Sequence, residues 1–287
     1  MTVSGAGVAA DPRPYPEPVT VPAGPLPPAD LPGLVRALAT GDPTRPRLTW
    51  YGPAGERIEL SGKVLDNWVA KTANLLVDEL DVGPGRRVCL DLPPHWRTAV
   101  WLLACWSAGG CAVPVRRGDG AAAAGAAGGG APEGRVDVWV SDRPESAAAR
   151  AAATGGAELV AVALPALATG FGPGLPAGAI DAAVEVRSQG DVFVPLVRPA
   201  PGDVALELPD GAMIKHADLI TRARQAADRL GLPPGIRLFT GAGPQDCVPG
   251  LLAPLIRDGS VVLHHDPAGL APGSLDHLLA QEQATRL

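Results

Sequence analysis

The order of elements in residues 88–115 limits the possible folds more than any other feature of this sequence. Residues 88–92 are suited to a buried strand, residues 94–108 to a helix and residues 111–115 to a second strand. Two strands joined through a helix by short connections form a right-handed parallel crossover, the unit of α/β sheets. We therefore predict a mainly parallel sheet that is buried on both faces.

A weak internal repeat extends this prediction to the second half of the chain. Residues 65–115 align with residues 215–265 at a constant offset of 150 and without a gap. The identities include a shared Pro-Gly turn and the pair Gly109 and Gly259, and both fall where the chain reverses. The predicted fold class is α/β, with two layered, mainly parallel modules of similar plan.

We expect five segments along the chain. They are a proline-rich lead at 1–30, a first α/β module at 31–116, an Ala/Gly-rich linker at 117–134, a connecting α/β segment at 135–200 and a second module at 201–287. The lead has no basic start followed by an apolar run, so it does not resemble a secretory signal. In the second module, strands are predicted at residues 204–208, 236–240 and 260–264.

Charge and cysteine content indicate the compartment and exclude some partners. A net charge of -6 without clustered Lys or Arg argues against a nucleic-acid partner. Residues 98–115 carry no formal charge, but Gly109-Gly110 and Pro114 divide them, which favours a buried helix and strand over a membrane span. The four cysteines lie in apolar surroundings without metal spacing, which is typical of reduced thiols in a cytoplasmic protein.

The helix predicted at 94–108 is apolar around most of its circumference. Trp96, Trp101 and Trp106 recur at intervals of five, so they do not share one face. Such a helix is either enclosed between two layers or open to a partner.

Several segments together resemble the adenylate-forming, acyl-activating enzymes. The run DVGPGRRVCLDLPPHWRTAVWLLACWSAGGCAVPV is similar to an early turn, strand and helix of that family, and RIELSGKVLDNWVAKTANLL to the helix before it. MIKHADLITRARQAADRLGL resembles the helix after the family's phosphate loop, and GLLAPLIRDGSVVLHHDP the next helix and strand. More narrowly, the chain resembles a short actinobacterial family of unassigned function. Membership implies ATP-dependent activation of a carboxylate as an acyl-adenylate, usually followed by transfer to a thiol.

The resemblance weakens at the phosphate loop. Where the family has a Ser/Thr/Gly loop with a lysine that grips the triphosphate, this chain has DVALELPDGAMIKHADL, in which we predict that strand passes to helix through Pro-Asp-Gly. Asp210 adds negative charge where phosphates would sit. Lys215 lies just before the helix, so we expect a role at the helix start or on the surface. His216 matches a histidine of the family at that helix start, where we expect a structural role.

Three further constellations have a functional and a structural interpretation. Gly241 and Gly243 form half of a dinucleotide fingerprint, but an acidic residue takes the third glycine position, which favours a plain turn. The run His264-His265-Asp266 contains metal-ligand types, yet neighbouring strand residues point to opposite faces, which favours a polar cluster. His95 with Asp91 lies near a strand's carboxyl end, where α/β sites gather, but no nucleophile accompanies it.

The sequence therefore predicts a degenerate, non-catalytic relative of the amino-terminal half of an acyl-activating enzyme, which acts by binding or partnership. We assign no catalytic residue, metal or cofactor, and the family's adenine-binding, ribose-binding and catalytic carboxy-terminal segments have no counterpart in these 287 residues. The alternative is an ATP-dependent carboxylate-activating enzyme, or a carboxylate binder with a reduced pocket. In that case Lys215, His216, Gly241 and Gly243 are the weak candidates for binding ATP or AMP.

Such a half-domain would leave apolar surface uncovered, and proteins seldom expose large apolar patches. We therefore expect a protein partner or a homo-oligomer. The tryptophan-rich helix is one candidate for the surface of association.

Overall fold

The computed structural model describes residues 1–2, 28–117, 132–166 and 168–286. Most of the predicted lead and linker lies outside these residues. The described part of the chain forms two mainly parallel β-sheets with helices packed against them, which confirms the predicted α/β class.

Twelve strands are present in the described residues. In chain order they are β1 (Pro46–Tyr51), β2 (Arg57–Ser61), β3 (Arg87–Asp91), β4 (Cys111–Pro114), β5 (Val138–Ser141), β6 (Glu158–Ala161), β7 (Ile180–Asp181), β8 (Val204–Glu207), β9 (Met213–Lys215), β10 (Arg237–Thr240), β11 (Ser260–His264) and β12 (Thr285–Arg286).

The strands divide between a seven-stranded first sheet, in the order β7-β6-β5-β3-β4-β8-β9, and a five-stranded second sheet, in the order β12-β10-β11-β1-β2. Neighbouring strands are parallel except for the antiparallel pairs β8–β9 and β1–β2. Strands β1 and β2 precede the first sheet in the chain but belong to the second sheet. Each sheet therefore combines strands from both of the predicted modules.

Eight α-helices connect these strands. They are α1 (Leu31–Gly41), α2 (Gly62–Asp78), α3 (Trp96–Ser107), α4 (Ala147–Thr154), α5 (Ala182–Ser188), α6 (His216–Arg229), α7 (Ala253–Ile256) and α8 (Pro272–Glu282), and a π-helical turn at Val248–Leu252 leads into α7. Side-chain caps start several of them. Ser61 caps α2 by accepting a hydrogen bond from the Val64 N–H at 3.3 Å, and the His95 side chain caps α3 by accepting one from the Arg97 N–H.

The predicted repeat is visible as two runs of matching elements. Helix α2, strand β3, helix α3 and strand β4 correspond in order to α6, β10, α7 and β11. Each run contributes an adjacent parallel pair, β3–β4 to the first sheet and β10–β11 to the second.

The gapless alignment of the two runs is nevertheless wrong by one residue after the first strand of each. Strands β3 and β4 pair Arg87 with Cys111, whereas β10 and β11 pair Arg237 with Ser260. The second run is therefore one residue shorter between its strands.

This shift changes which glycines correspond. The Gly110 N–H donates to the Cys105 carbonyl at 2.9 Å, and the Gly259 N–H donates to the Pro254 carbonyl at 2.9 Å. Gly259 thus matches Gly110, and not Gly109 as the sequence suggested. Both positions are crowded, because an added Cβ would lie 2.8 Å from a side chain at Gly110 and 2.4 Å from a backbone oxygen at Gly259.

The tryptophan-rich helix α3 lies between other layers. Trp96, Trp101 and Trp106 are each 3% exposed or less, and the Trp106 Nε1 donates to the Ala205 carbonyl at 2.8 Å. The suggestion that this helix is a surface of association is therefore wrong. Its all-round apolar character reflects enclosure by α1, α2 and the strands of both sheets.

Candidate functional site

The segment at which the resemblance places a phosphate loop is a tight hairpin between β8 and β9. The Gly211 N–H donates to the Leu208 carbonyl at 2.8 Å, and the Leu208 N–H donates to the Ala212 carbonyl at 2.8 Å. Gly211 has a φ of +83°. A proline, an i to i+3 bond and a left-handed glycine together define a type I turn with a bulge. The sequence predicted a direct passage from strand to helix and missed both this hairpin and β9.

The hairpin leaves few backbone donors for a ligand. A phosphate loop works because several free N–H groups point at the anion. Here the Leu208 and Gly211 donors are used within the turn, the Ala212 N–H donates to Asp210 Oδ1 at 3.0 Å, and Pro209 has none. The remaining residue, Asp210, adds a carboxylate. Within the part of the chain that the structure describes, the Asp210 N–H alone of this turn has no acceptor, whereas a phosphate loop offers several free N–H groups.

The two candidates beside the hairpin lie at the junction of β9 with α6. Lys215 is exposed and makes no side-chain capping bond to the helix. The His216 N–H donates to the Asp203 carbonyl at 2.9 Å, and its Nε2 lies 3.2 Å from the Gly109 carbonyl oxygen. Burial lowers the pKa of His216. These contacts join the start of α6 to the end of α3, the kind of role expected for His216.

The glycine pair after β10 sits in a closed loop. A Cβ added at Gly241 would lie 2.2 Å from the Pro267 ring, and one at Gly243 would lie 2.6 Å from the Gln245 side chain. The cavity next to this loop measures about 20 Å³, which is room for one water and not for a pyrophosphate. The structure thus brings these glycines into close packing.

Asp91 at the carboxyl end of β3 belongs to an ionic cluster. The Arg117 Nε lies 2.9 Å from Asp91 Oδ1, an Arg143 NH group lies 3.1 Å from the same oxygen, and the Ser141 Oγ donates to Oδ2 at 2.9 Å. Asp91 is 3% exposed. Its carboxylate is therefore fully engaged in joining β3 to β5 and to the segment after β4.

His95 lies near Asp91 in the sequence but has a separate environment. Its Nδ1 accepts from the Arg97 N–H at 3.0 Å, and its ring lies 4.1 Å from the Trp50 ring. Burial and the charge of Arg97 lower the pKa of His95 to about 3, so the ring is neutral at pH 7. Within the described residues its Nε2 has no hydrogen-bond partner. Among the residues that the structure describes, neither a nucleophile nor a carboxylate is hydrogen-bonded to this ring.

The run His264-His265-Asp266 lies at the carboxyl end of β11. The Asp266 N–H donates to His264 Nδ1 at 3.0 Å, and His265 Nδ1 lies 3.3 Å from the Tyr51 carbonyl oxygen. The two imidazole rings are stacked at 4.8 Å. No three potential ligands from His, Cys, Asp or Glu meet in a metal-binding arrangement anywhere in the described ranges. The three residues border an open cavity of about 450 Å³.

A buried carboxylate that sequence reasoning missed lies at the end of α8. Glu282 is 6% exposed and receives hydrogen bonds from Tyr51, Arg57 and Arg237. Burial alone would raise its pKa, but these three donors outweigh it and lower the pKa to about 2. Arg57 in β2 and Arg237 in β10 could have indicated such a residue in the sequence. An arginine within a strand of a buried sheet needs an acidic or polar partner.

One further cavity is larger than the two described above. It measures about 570 Å³ and is bordered by the start of α1, by α2, by the end of α3, by residues 191–201 and by the start of α6. Of the predicted candidates, only His216 lines it. Its walls come from segments far apart in sequence, so no local sequence pattern could predict the cavity.

Within the described residues, no helix has the length and apolar character needed to cross a membrane. The four cysteines are free and buried. Burial raises the pKa of the Cys247 thiol to about 12, so it is not a reactive thiolate at pH 7.

Comparison with known proteins gives the family. The family "AMP-binding enzyme" matches residues 35–127. A "TIGR03089 family protein" of Mycobacterium tuberculosis is 34% identical over 257 residues, which cover 88% of this chain and 96% of that protein.

Two solved structures share the fold at low sequence identity. Apo MatB from Rhodopseudomonas palustris superimposes with a TM-score of 0.65 at 18% identity, over 90% of this chain and 48% of that one. An acyl-CoA synthetase of Brucella canis gives a TM-score of 0.66 at 19% identity, over 89% of this chain and 46% of that one. The chain thus spans about half the length of these two structures. The chain belongs to the TIGR03089 family and has the α/β fold of acyl-CoA synthetases.

Proposed function

We propose that this chain is a non-catalytic relative of the AMP-binding enzymes that acts by binding rather than by forming acyl-adenylates. The observation that carries the proposal is the β8–β9 hairpin. In residues 208–212, three backbone N–H groups are used within the turn, one residue is proline, and the exposed tip carries a carboxylate. Anion loops need the opposite arrangement, with free N–H groups and no negative charge.

The surroundings of the hairpin support the same proposal. Lys215 is exposed at the end of an edge strand, and His216 is engaged with backbone groups of the preceding elements. The glycine loop after β10 is filled by Pro267. Of the four candidates, only His216 borders a cavity of nucleotide size, and that cavity of about 570 Å³ lies beside α1 and α2 and is lined by no residue of the β8–β9 hairpin.

The test is calorimetry with ATP and Mg²⁺, together with a pyrophosphate-release assay over a panel of carboxylic acids and with an active acyl-CoA synthetase run in parallel. We expect no binding heat and no pyrophosphate from this chain. Pyrophosphate that appears only when both ATP and an acid are present would overturn the proposal in favour of ATP-dependent carboxylate activation. Should ATP bind, Lys215→Ala shows whether the nucleotide uses this strand end.

The proposed binding role includes association with a second copy of the chain in the cytoplasm. The supporting observation is the segment at 191–201, in which Leu196 is 86% exposed and Val197 is 62% exposed. A twofold interface sets the same apolar side chains of two copies against each other. Sedimentation at increasing concentration should show a dimer that the double substitution Leu196→Ser, Val197→Ser removes. A monomer at all concentrations would contradict self-association.

A further inference from the structure

The cavity of about 570 Å³ has the size of a small-molecule site. Its apolar walls come from four separate elements and include Val35, Val69, Ala70, Trp106 and Phe193. The Trp106 Nε1 is already bonded to a backbone carbonyl, so its indole adds no unsatisfied donor to the wall. This part of the wall can therefore pack against an apolar molecular body.

The acidic groups that line the cavity differ in how they are engaged. Asp30 Oδ1 accepts from the Gly33 N–H at 2.7 Å as the cap of α1, and Asp191 Oδ1 lies 2.7 Å from the Lys71 Nζ. Asp66, on the cavity side of α2, has no hydrogen-bond donor or ion-pair partner in the part of the chain that the structure describes. Burial raises the pKa of its carboxyl group, opposed only by the charge of Arg36.

The remaining charged groups around the cavity do not satisfy Asp66. Arg36 and Arg198 are exposed, and neither lies within ion-pair distance of Asp66 among the described residues. His216 is held at the Gly109 carbonyl, and burial lowers its pKa. Asp66 is partly buried, and a carboxylate that has lost part of its water without gaining a partner favours a ligand that supplies a charged donor.

We propose that this cavity binds a soluble amphipathic amine, with the ammonium group on Asp66 and the apolar body against Val69, Ala70 and Trp106. The site is separate from the β8–β9 hairpin and does not depend on whether the chain uses ATP. Residues Leu196 and Val197 do not line the cavity, so ligand binding and the proposed self-association use different side chains.

Three probes with one body and different heads test the proposal: 4-phenylbutylamine, 4-phenylbutan-1-ol and 4-phenylbutyrate. In calorimetry with the full chain at pH 7.5, we expect the amine to bind about tenfold or more tightly than the alcohol, as a hydrogen bond to a charged group predicts. The acid should bind most weakly. An acid that binds as tightly as the amine would overturn the proposal.

Substitutions in and near the cavity test whether the amine binds at Asp66. Asp66→Asn should remove the preference for the amine, whereas Asp78→Asn, at an exposed position of the same helix, should leave it unchanged. Ala70→Met should fill the cavity and weaken all three probes. Circular dichroism confirms that each variant is folded, and a folded Asp66→Asn protein that still prefers the amine refutes the assignment.

An amine on a lipid would present the same head group. Co-sedimentation with vesicles of phosphatidylcholine and phosphatidylethanolamine separates the two sources. We expect no co-sedimentation, and binding to these vesicles that Asp66→Asn abolishes would overturn the assignment to a soluble amine. Because these measurements contain no ATP, a negative result would contradict the amine site and would leave the proposed non-catalytic function unaffected.

Discussion

Gly109 and Asp258 occupy the same position after two equivalent helices, and both have a positive φ, of +84° and +53°. Only glycine adopts this conformation freely, and another residue loses about 1–2 kcal/mol there. Asp258 has a contact that offsets this loss, because its Oδ1 lies 2.8 Å from an NH group of Arg47, whose side chain is 1% exposed. The second run thus uses an aspartate at its turn to neutralise a buried arginine.

The substitution Asp258→Asn tests this relationship. Asparagine tolerates the same backbone conformation. Any loss of stability therefore comes from removing the negative charge opposite Arg47. We expect the free energy of unfolding in urea to fall by about 1–3 kcal/mol, the range for a buried charged group that loses its partner. The control is Asp228→Asn, because Asp228 forms an exposed ion pair with Arg257, and it should cost less than about 1 kcal/mol. Equal losses would contradict the assigned role.

The β8–β9 hairpin requires glycine at position 211. With a φ of +83°, Gly211→Ala should lower the free energy of unfolding by about 1 kcal/mol or more. Gly202→Ala is a matched control, since an added Cβ there meets nothing within 4 Å and its φ is not positive. Thermal unfolding of both variants gives the comparison. A Gly211→Ala protein as stable as the control would show that this turn conformation is not required.

Short-range patterns allowed much of the fold to be predicted. The crossovers around β3 and β10 depend on neighbouring apolar runs and Pro-Gly turns, so the sequence located those strands within about two residues. The assignment of β1 and β2 to the second sheet depends on pairing with β11, more than two hundred residues away. No local pattern encodes such a pairing.

The sites were harder to predict for a related reason. The Pro-Asp-Gly sequence indicated a turn, but the loss of its free N–H groups follows from the register of β8 on β9. The burial of α3 follows from helices and strands that pack on every side, which its composition allowed but did not require. Asp66 is an ordinary helix aspartate in sequence, and only the tertiary structure places it on the wall of a cavity together with residues 191–201.

His95 predicts a pH dependence of stability. Its folded-state pKa of about 3 lies below the ordinary 6.5, so below pH 6.5 the unfolded chain takes up a proton that the folded chain does not. The contribution of this ring is therefore complete above pH 6.5 and is lost as pH falls towards 3, with a slope of up to about 1.4 kcal/mol per pH unit. His95→Asn keeps a good helix cap and should remove this slope.

The measurement is urea unfolding of wild type and His95→Asn between pH 7 and pH 4. The difference between their free energies of unfolding removes the contribution of the carboxyl groups, which both proteins share. His277→Asn, at an exposed position of α8, controls for removal of a histidine as such. Parallel curves for wild type and His95→Asn would refute the prediction.

Glu282, at the end of α8, should be the most sensitive of the acidic residues that contact the second sheet. The substitution Glu282→Gln leaves Arg57 and Arg237 facing a neutral amide inside the structure, and breaking a buried pair in this way costs about 3–5 kcal/mol. Glu59→Gln is the control, because Glu59 also contacts Arg57 but its side chain is 33% exposed, and it should cost less than about 1 kcal/mol.

The pH dependence distinguishes loss of charge from loss of packing. The pKa of Glu282 is lowered from 4.5 to about 2, so its stabilising effect is present above pH 4.5 and is lost as pH falls through about 2. The difference in unfolding free energy between wild type and Glu282→Gln should therefore shrink as acid is added below pH 4.5. A difference that stays constant down to pH 2.5 would mean that the amide disturbs packing and that the charge of Glu282 contributes little.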